Sequence, residues 1–369
     1  MSELIIRPER PEDYRETELM AQRAFWNLHG RGCDEHLLVH NLRQDGNYVP
    51  ELSRVAELDG RIVGCIMYAR AYLHAGDTVH EVLTFGPLCV DMAAQCTGVG
   101  STLLRETLAL AKQTDYAGII IFGEADYYPR FGFKTCDNYG ITDWDGGNSE
   151  AFMGLELREG ALNAIGGRFR EADVYDDLGD IEEFSRDFPR YPALSLPLQW
   201  GYDGEDWKHY RMTDARQNRS SYRAMFNRYV LELGNYLPGL LENVSENGDF
   251  LPEETAQCFA SPSKRPYVIT KDGEPIGLAV LSGPGPEDEP DGCTHYVEEM
   301  YVVPEFRRRG IAADIALRYM RQNEGACGLC VAKGSEGALA FWKRTAEKGG
   351  YSMETAEDGD YLWCVLSKE

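Results

Sequence analysis

The feature that most constrains this chain is a glycine loop that opens a helix after an apolar strand, and it occurs twice. The first copy has Leu88, Cys89 and Val90 as its strand end. Residues 91–94 follow, and then Gln95, Cys96, Thr97, Gly98, Val99, Gly100, Ser101 and Thr102. The second has Met300, Tyr301 and Val302, then residues 303–306, then Arg307, Arg308, Arg309, Gly310, Ile311 and Ala312. Both loops read Gln/Arg-x-x-Gly-x-Gly/Ala and begin five residues after a strand valine. Glycine allows positive φ and a close approach of backbone to ligand. The unpaired N–H groups and the dipole at a helix start favour an anion there. A diphosphate is a natural occupant. A single Gly-x-Gly is equally consistent with a tight strand–helix turn, but two copies at equal offsets favour a ligand. A dinucleotide-binding fingerprint fits poorly. It needs a third glycine directly after the first strand of a parallel sheet, with an acidic residue about 20 positions on.

The elements around the loops repeat in the same order. In the first half, helical patterns near residues 14–26 and 36–44 precede strand patterns at 53–58, 61–68 and 79–90. The helix 98–112 and the apolar strand 118–122 come next. In the second half a helix at 219–233 precedes strands at 266–270, 275–281 and 296–303. A helix at 310–322, a strand at 328–332, a helix at 337–344 and a closing strand at 361–366 follow. Asp59-Gly60 and Asp272-Gly273 are matching hairpin signals. The shared order predicts an internal duplication and an α/β (α+β) fold of two domains, 1–165 and 205–369. The acidic, proline-containing stretch 166–204 reads as a linker or surface arm.

With 369 residues, two cores are the better expectation. No run reaches the ~18 apolar residues of a membrane span. The start, MSELIIRPERPEDY, lacks the pattern of a signal peptide. Ten cysteines without a disulfide framework fit a reducing cytoplasm. Cys327 and Cys330 form C-x-x-C, but inside a strand-like apolar run, so a core reading is preferred and no metal site is expected. The net charge of −24 excludes nucleic acid and anionic membranes as partners. It attracts cationic amines, and solubility explains it equally well. Arg307, Arg308 and Arg309 are a local exception to the acidity.

At these loops the chain resembles the GNAT superfamily of acetyl-CoA-dependent N-acetyltransferases, over about residues 1–160 and 205–369. The resemblance implies two tandem domains, each a mixed, splayed central sheet flanked by helices. It implies acetyl-CoA as acyl donor and a primary amine of a small molecule or peptide as acceptor. The pantetheine arm would run along Leu88, Cys89 and Val90, and along Met300, Tyr301 and Val302. The diphosphate would sit on Gln95, Cys96, Thr97, Gly98, Val99 and Gly100, with the Thr97, Ser101 and Thr102 hydroxyls helping. In the second loop it would sit on Arg307 to Ala312. The acceptor would meet residues 25–41 and 223–250, the latter holding Tyr229, Glu232, Tyr236, Glu242 and Glu246.

The segment from Phe122 to Phe133 is similar to the family's strand–helix stretch, in which Tyr128 would be the general acid to the leaving thiolate. The bland alternative is a packed aromatic with its hydroxyl bonded to backbone. The second half has Trp342 at that place, and an indole cannot deliver the proton. Tyr351, another group or water would have to do so. A base must also free the amine. Glu298 and Glu299 lie on the strand before the second loop, and alternation sends one to each face. Glu298 lies on the side where the resemblance puts the base, and a solvated edge carboxylate is the alternative. In the first half Thr84 aligns with the base position and cannot serve. A non-catalytic acyl-CoA sensor, or an enzyme with one active and one structural domain, stays open. So does monomer against homodimer.

Overall fold

The computed structural model describes residues 4–199, 210–285 and 291–368. Chain contacts divide these into two compact units. The first holds the residues up to Ala24 together with Asp34–Phe188, and the second holds Phe25–Cys33 and the residues from Pro189 onward.

In the first unit, β1 (Leu4–Arg7), α1 (Tyr14–Phe25) and α2 (Glu35–Leu42) precede three antiparallel strands, β2 (Arg54–Leu58), β3 (Arg61–Ala75) and β4 (Thr78–Val90). Then come α3 (Val99–Ala111), β5 (Gly118–Phe122), β6 (Lys134–Thr135), β7 (Ile141–Thr142), β8 (Phe152–Glu156), β9 (Gly167–Arg170) and α4 (Ile181–Phe184). The sheet order is β1-β2-β3-β4-β5-β8-β6, and β9 pairs with β3 and β7. Val99, Leu103, Leu104, Thr107, Leu108 and Ala111 recur at helical spacing and form the buried stripe of α3. Truncating a buried leucine such as Leu103 costs about 2–5 kcal/mol.

In the second unit, β10 (Arg211–Asp214), α5 (Arg219–Leu233) and α6 (Pro252–Ala260) lead to the antiparallel β11 (Lys264–Lys271), β12 (Glu274–Ser282) and β13 (Cys293–Val302). Next are α7 (Ile311–Gln322), β14 (Ala326–Ala332), α8 (Glu336–Gly349), β15 (Ser352–Asp358) and β16 (Tyr361–Ser367). The order is β10-β11-β12-β13-β14-β16-β15. The two units therefore share one plan, as the duplication predicts.

Both hairpins turn on left-handed pairs. Asp59 and Gly60 have φ of 50° and 80°, and Asp272 and Gly273 have 52° and 86°, the geometry of a two-residue turn. Four residues after each turn glycine comes another glycine, Gly64 or Gly277, opposite the last strand valine. A Cβ on Gly64 would press on Leu103, Val99 and the Cys89 carbonyl, and one on Gly277 would collide with the Tyr301 carbonyl. The repeated Asp-Gly-x-x-Val/Ile-Gly is thus a sequence mark of the duplication that element order alone does not reveal.

The division between the units differs from the expected one. Residues 166–188 do not form a free linker. Phe169 is buried, β9 adds three pairs to β3 (Tyr72 with Arg170, Leu73 with Phe169, His74 with Arg168), and α4 follows. The boundary expected at 204/205 lies outside the described residues. Residues 25–33, expected beside the first acceptor site, belong to the second unit. There the Trp26 indole N–H donates to the Pro192 carbonyl at 2.8 Å, and the Arg265 guanidinium donates to the Trp26 carbonyl.

Candidate active sites

In each unit two neighbouring parallel strands touch at one end and then separate. In the first, β4 and β5 pair only at Leu83 and Ile119. The edge of β4 from Thr84 to Val90 therefore has no strand beside it among the described residues. In the second, β13 and β14 pair at Cys293, His295 and Tyr296, and among the described residues no pairing follows. The open edges end at Val90 and Val302. Each carries backbone N–H and C=O groups able to pair with an extended, amide-bearing ligand, except that in β4 Pro87 has no N–H and the Gly86 carbonyl accepts from Tyr175.

The loops after these strands share one geometry. In the first, Cys96 (φ 61°) and Gly98 (φ 96°) are left-handed, and in the second Arg308 (φ 60°) and Gly310 (φ 85°) are. A Cβ at Gly98 or Gly310 would meet nothing within 4 Å, so backbone conformation and not space requires glycine there. The Gln95 amide donates to the Val90 carbonyl at 3.2 Å, and Arg307 Nε donates to the Val302 carbonyl at 2.8 Å. Each loop is thereby pinned to its strand. The unpaired amides at the starts of α3 and α7 follow directly on these loops, an arrangement that favours an anion.

The side chains of the loops do less than the sequence suggests. Thr97 Oγ1 donates to the Ala94 carbonyl at 2.6 Å and Thr102 Oγ1 to the Gly98 carbonyl at 3.0 Å, which leaves those hydroxyls no proton for a ligand. Ser101 Oγ lies 3.4 Å from the Tyr127 hydroxyl. Arg307 is paired with Glu232 at 2.6 Å, and Arg309 Nη2 donates to the Glu305 carbonyl at 3.1 Å. Arg308 is exposed on the left-handed step of the loop. The first loop, lacking its own cations, has Arg130 over the Tyr127 ring at 4.1 Å nearby.

Tyr128 sits beside the first splay. Its ring packs on Phe85 of β4 at 5.8 Å and on Phe133 at 5.7 Å. Gly123 gives it room, because a Cβ there would collide with the ring. Burial pushes its hydroxyl well above the ordinary tyrosine range, so it stays protonated at neutral pH. In the second unit Trp342 is buried in α8 against Phe341. Tyr351 is no substitute. It shares a cleft with Met320 and Arg321 at the far end of α7, roughly 15 Å along the helix from the cradle at its 1.5 Å rise per residue.

The carboxylates break the expected alternation. Val280 pairs with Glu299, while Leu281 pairs with Val297, so Glu298 is the extra residue of a β-bulge. The bulge turns both acids to the face of Val280 and Ser282, instead of one to each side. Glu298 is committed there. It accepts from the Ser282 hydroxyl at 2.6 Å and from Lys264 Nζ at 2.8 Å. Glu299 lies near Tyr229 of α5, whose hydroxyl favours the ionised carboxyl. Burial outweighs that influence, and with the neighbouring Glu298 charge the carboxyl is pushed up to about 7. In the first unit the strand positions matching Glu298 and Glu299, counted back from the last valine, are Gly86 and Pro87. They also form an irregularity, with one residue of β3 facing two of β4.

Two further observations bear on the sequence expectations. Cys327 is buried and Cys330 exposed on the strand β14, so the C-x-x-C thiols face opposite sides. No helix among the described residues is long and apolar enough to cross a membrane.

A mixed sheet that opens beside a left-handed glycine loop, built twice, is the fold of a tandem acyltransferase. The Acetyltransferase (GNAT) domain model matches residues 50–135, and the Acetyltransferase (GNAT) family model matches residues 234–346. The chain belongs to the GNAT acetyltransferases, as a tandem of two such domains. Acetyl-CoA is the acyl donor of this family, and its enzymes acetylate amine acceptors. The chain is similar to the uncharacterized N-acetyltransferase YhbS of Escherichia coli strain K12, with 28% identity over 165 residues, 44% of this chain and 93% of that protein. The uncharacterized N-acetyltransferase YjhQ of the same strain is 32% identical over 99 residues, 27% of this chain and 55% of that protein. Among solved structures, E. coli YhbS in complex with CoA aligns at 26% identity and a TM-score of 0.42, over 48% of this chain and 93% of that one. A GNAT acetyltransferase from Brucella melitensis in complex with acetyl-CoA aligns at 27% and 0.39, over 47% and 99%.

Proposed function

We propose that the protein moves an acetyl group from acetyl-CoA to a primary amine of a small molecule or peptide, by direct attack on the thioester. The observation that carries this reading is the pairing, in each unit, of an open strand edge with a left-handed glycine cradle. The pantetheine arm pairs with the open edges of β4 and β13, and the diphosphate rests on the amides that open α3 and α7. In the C-terminal unit Glu299 is the general base. A carboxyl whose proton leaves near pH 7 is matched to an amine acceptor, whereas Glu298 is held by Lys264 and orients its neighbour. Tyr229, Tyr222 and the two acids give an aromatic, acidic setting suited to a cationic amine. In the N-terminal unit Tyr128 gives the thiolate its proton.

The presence of Trp342 favours a second reading, in which the C-terminal unit only binds donor. The test separates the two. With the N-terminal cradle disabled by Gly98→Val, acetyl-CoA and a panel of a polyamine, an amino sugar and a lysine peptide are supplied, and CoA release is followed. Turnover that falls about 100-fold on Glu299→Gln, the scale of general-base catalysis, supports a C-terminal transfer site. Donor binding without turnover in the Gly98→Val protein supports the binding-only reading of this unit.

A further inference from the structure

The first splay carries Gly86 and Pro87 where the second has its acids, yet a carboxylate stands beside it. It comes from the segment that follows the family domain. The short strand β9 pairs with β3, Tyr72 facing Arg170, and the next residue is Glu171. Thr84 is buried at the point where β4 leaves β5, and its Oγ1 reaches Glu171 Oε1 at 3.5 Å. Tyr175, four residues further on, donates its hydroxyl to the Gly86 carbonyl at 3.2 Å, and its ring edge lies within ordinary contact distance, 3.5 Å, of where a Cβ on Gly86 would stand. A strap of residues 171–175 thus lies on β4 and holds a carboxylate at the opening.

We infer that the N-terminal unit is a transfer site of its own, with Glu171 as its general base toward a primary ammonium acceptor. This rests on the transfer reading above. Among the described residues no lysine or arginine pairs with Glu171. Its charged and titratable neighbours are Asp176 and Tyr175, and Asp45 acts on Tyr175 in turn. Burial, then Asp176, push its carboxyl up to about 7, against the weaker pull of the Thr84 hydroxyl. A half-buried carboxylate without a cation is costly to the fold, and a site that needs a base near neutrality accounts for it. Glu171 reaches the first splay as Glu299 reaches the second, from a different part of the chain.

The acceptor arrives as R–NH3+. Glu171 takes one proton, directly or through one water, and leaves R–NH2. The nitrogen lone pair forms the C–N bond to the thioester carbonyl carbon. The C–S bond breaks and its electron pair stays on sulfur. Tyr128 gives sulfur a proton and recovers one from the nitrogen. The sum is acylated amine, free CoA thiol and one proton on Glu171.

The experiment uses the full chain with the C-terminal cradle disabled by Gly310→Val, acetyl-CoA as donor and the same amine panel. Glu171→Gln is expected to lower CoA release about 100-fold, on the scale of general-base catalysis, while acetyl-CoA binding is unchanged. Glu171→Asp is expected to restore part of the rate. The rise of rate with pH centred near 7 is expected to vanish in Glu171→Gln and persist in Glu171→Asp. A Glu171→Gln protein with full rate and an unaltered pH profile overturns this inference while leaving acetyl transfer itself intact. No release from either single-cradle protein or the unaltered chain overturns the transfer reading, and this inference with it.

Discussion

The two splays differ in where each obtains its carboxylate. In the C-terminal unit an extra residue within β13 presents Glu298 and Glu299 on one face. In the N-terminal unit the same strand positions are Gly86 and Pro87, and the acid arrives on a strap that follows β9. The position proposed for the proton donor differs in the opposite sense, holding Tyr128 in the first unit and Trp342, which cannot donate to the thiolate, in the second. The difference teaches that a duplicated scaffold keeps its strand edge and glycine cradle, because these are backbone features fixed by a few glycines. Chemistry that depends on side chains is re-sourced locally, so the two clefts are best treated as separate sites.

The comparison is broken most sharply at Tyr128. In a protein carrying only the N-terminal cradle, Tyr128→Phe is expected to lower turnover about 100-fold or more, the scale of general-acid catalysis, with donor affinity kept. An unchanged rate, read from CoA release, would leave Tyr128 a packing residue and remove the asymmetry of acids.

The next effect is on pH. Glu299 and Glu171 both lose their protons near 7 in the folded protein, against an ordinary value of 4.5. Each base works only when ionised, so the rate at each single-cradle site is expected to rise through pH 7. Stability should move the other way. Between about 4.5 and 7 the unfolded chain has released protons that the folded chain still holds, so folding weakens as pH rises and is level above 7. Thermal melts of Glu299→Gln and Glu171→Gln should therefore gain on the unaltered protein at pH 8 and show little gain at pH 4. Equal gains at both pH values would deny the raised carboxyl positions.

Smaller effects follow at the loops and at the tethered acid. Arg308→Asn, a residue that tolerates the left-handed region, is expected to weaken donor binding at the C-terminal cradle a few-fold, and less so as salt screens the lost charge. Binding at the N-terminal cradle is expected to stay unchanged. Glu298→Gln breaks a half-buried pair with Lys264 and should cost about 1 kcal/mol of stability. Its effect on C-terminal turnover should be several-fold at most, clearly less than that of Glu299→Gln.

Much of the scaffold was legible in the sequence. The Asp-Gly turns, the apolar runs before each loop and the helical spacing after it gave the strands, the hairpins and both helix starts, because each rests on local backbone preference. The site was legible where it is backbone, at the cradles and strand ends. It was not legible where register decides. Alternation placed Glu298 and Glu299 on opposite faces, and a single extra residue reversed that. Glu171 was hidden because β9 is a four-residue strand with one apolar residue, Phe169, inside a charged stretch that reads as solvent-exposed. The alternating Gly-Arg-Phe-Arg before it was the one available signal. The roles of Arg307 and Arg309 depended on Glu232 and the Glu305 carbonyl, partners that loop composition does not announce.

The central claim, two donor clefts built on one backbone plan, is tested most directly by isothermal titration with acetyl-CoA. The account predicts two molecules bound per chain in the unaltered protein, and one in each of Gly98→Val and Gly310→Val, where a β-branched residue would be forced into left-handed backbone. One molecule bound by the unaltered chain, with one of the two substitutions silent, would contradict it.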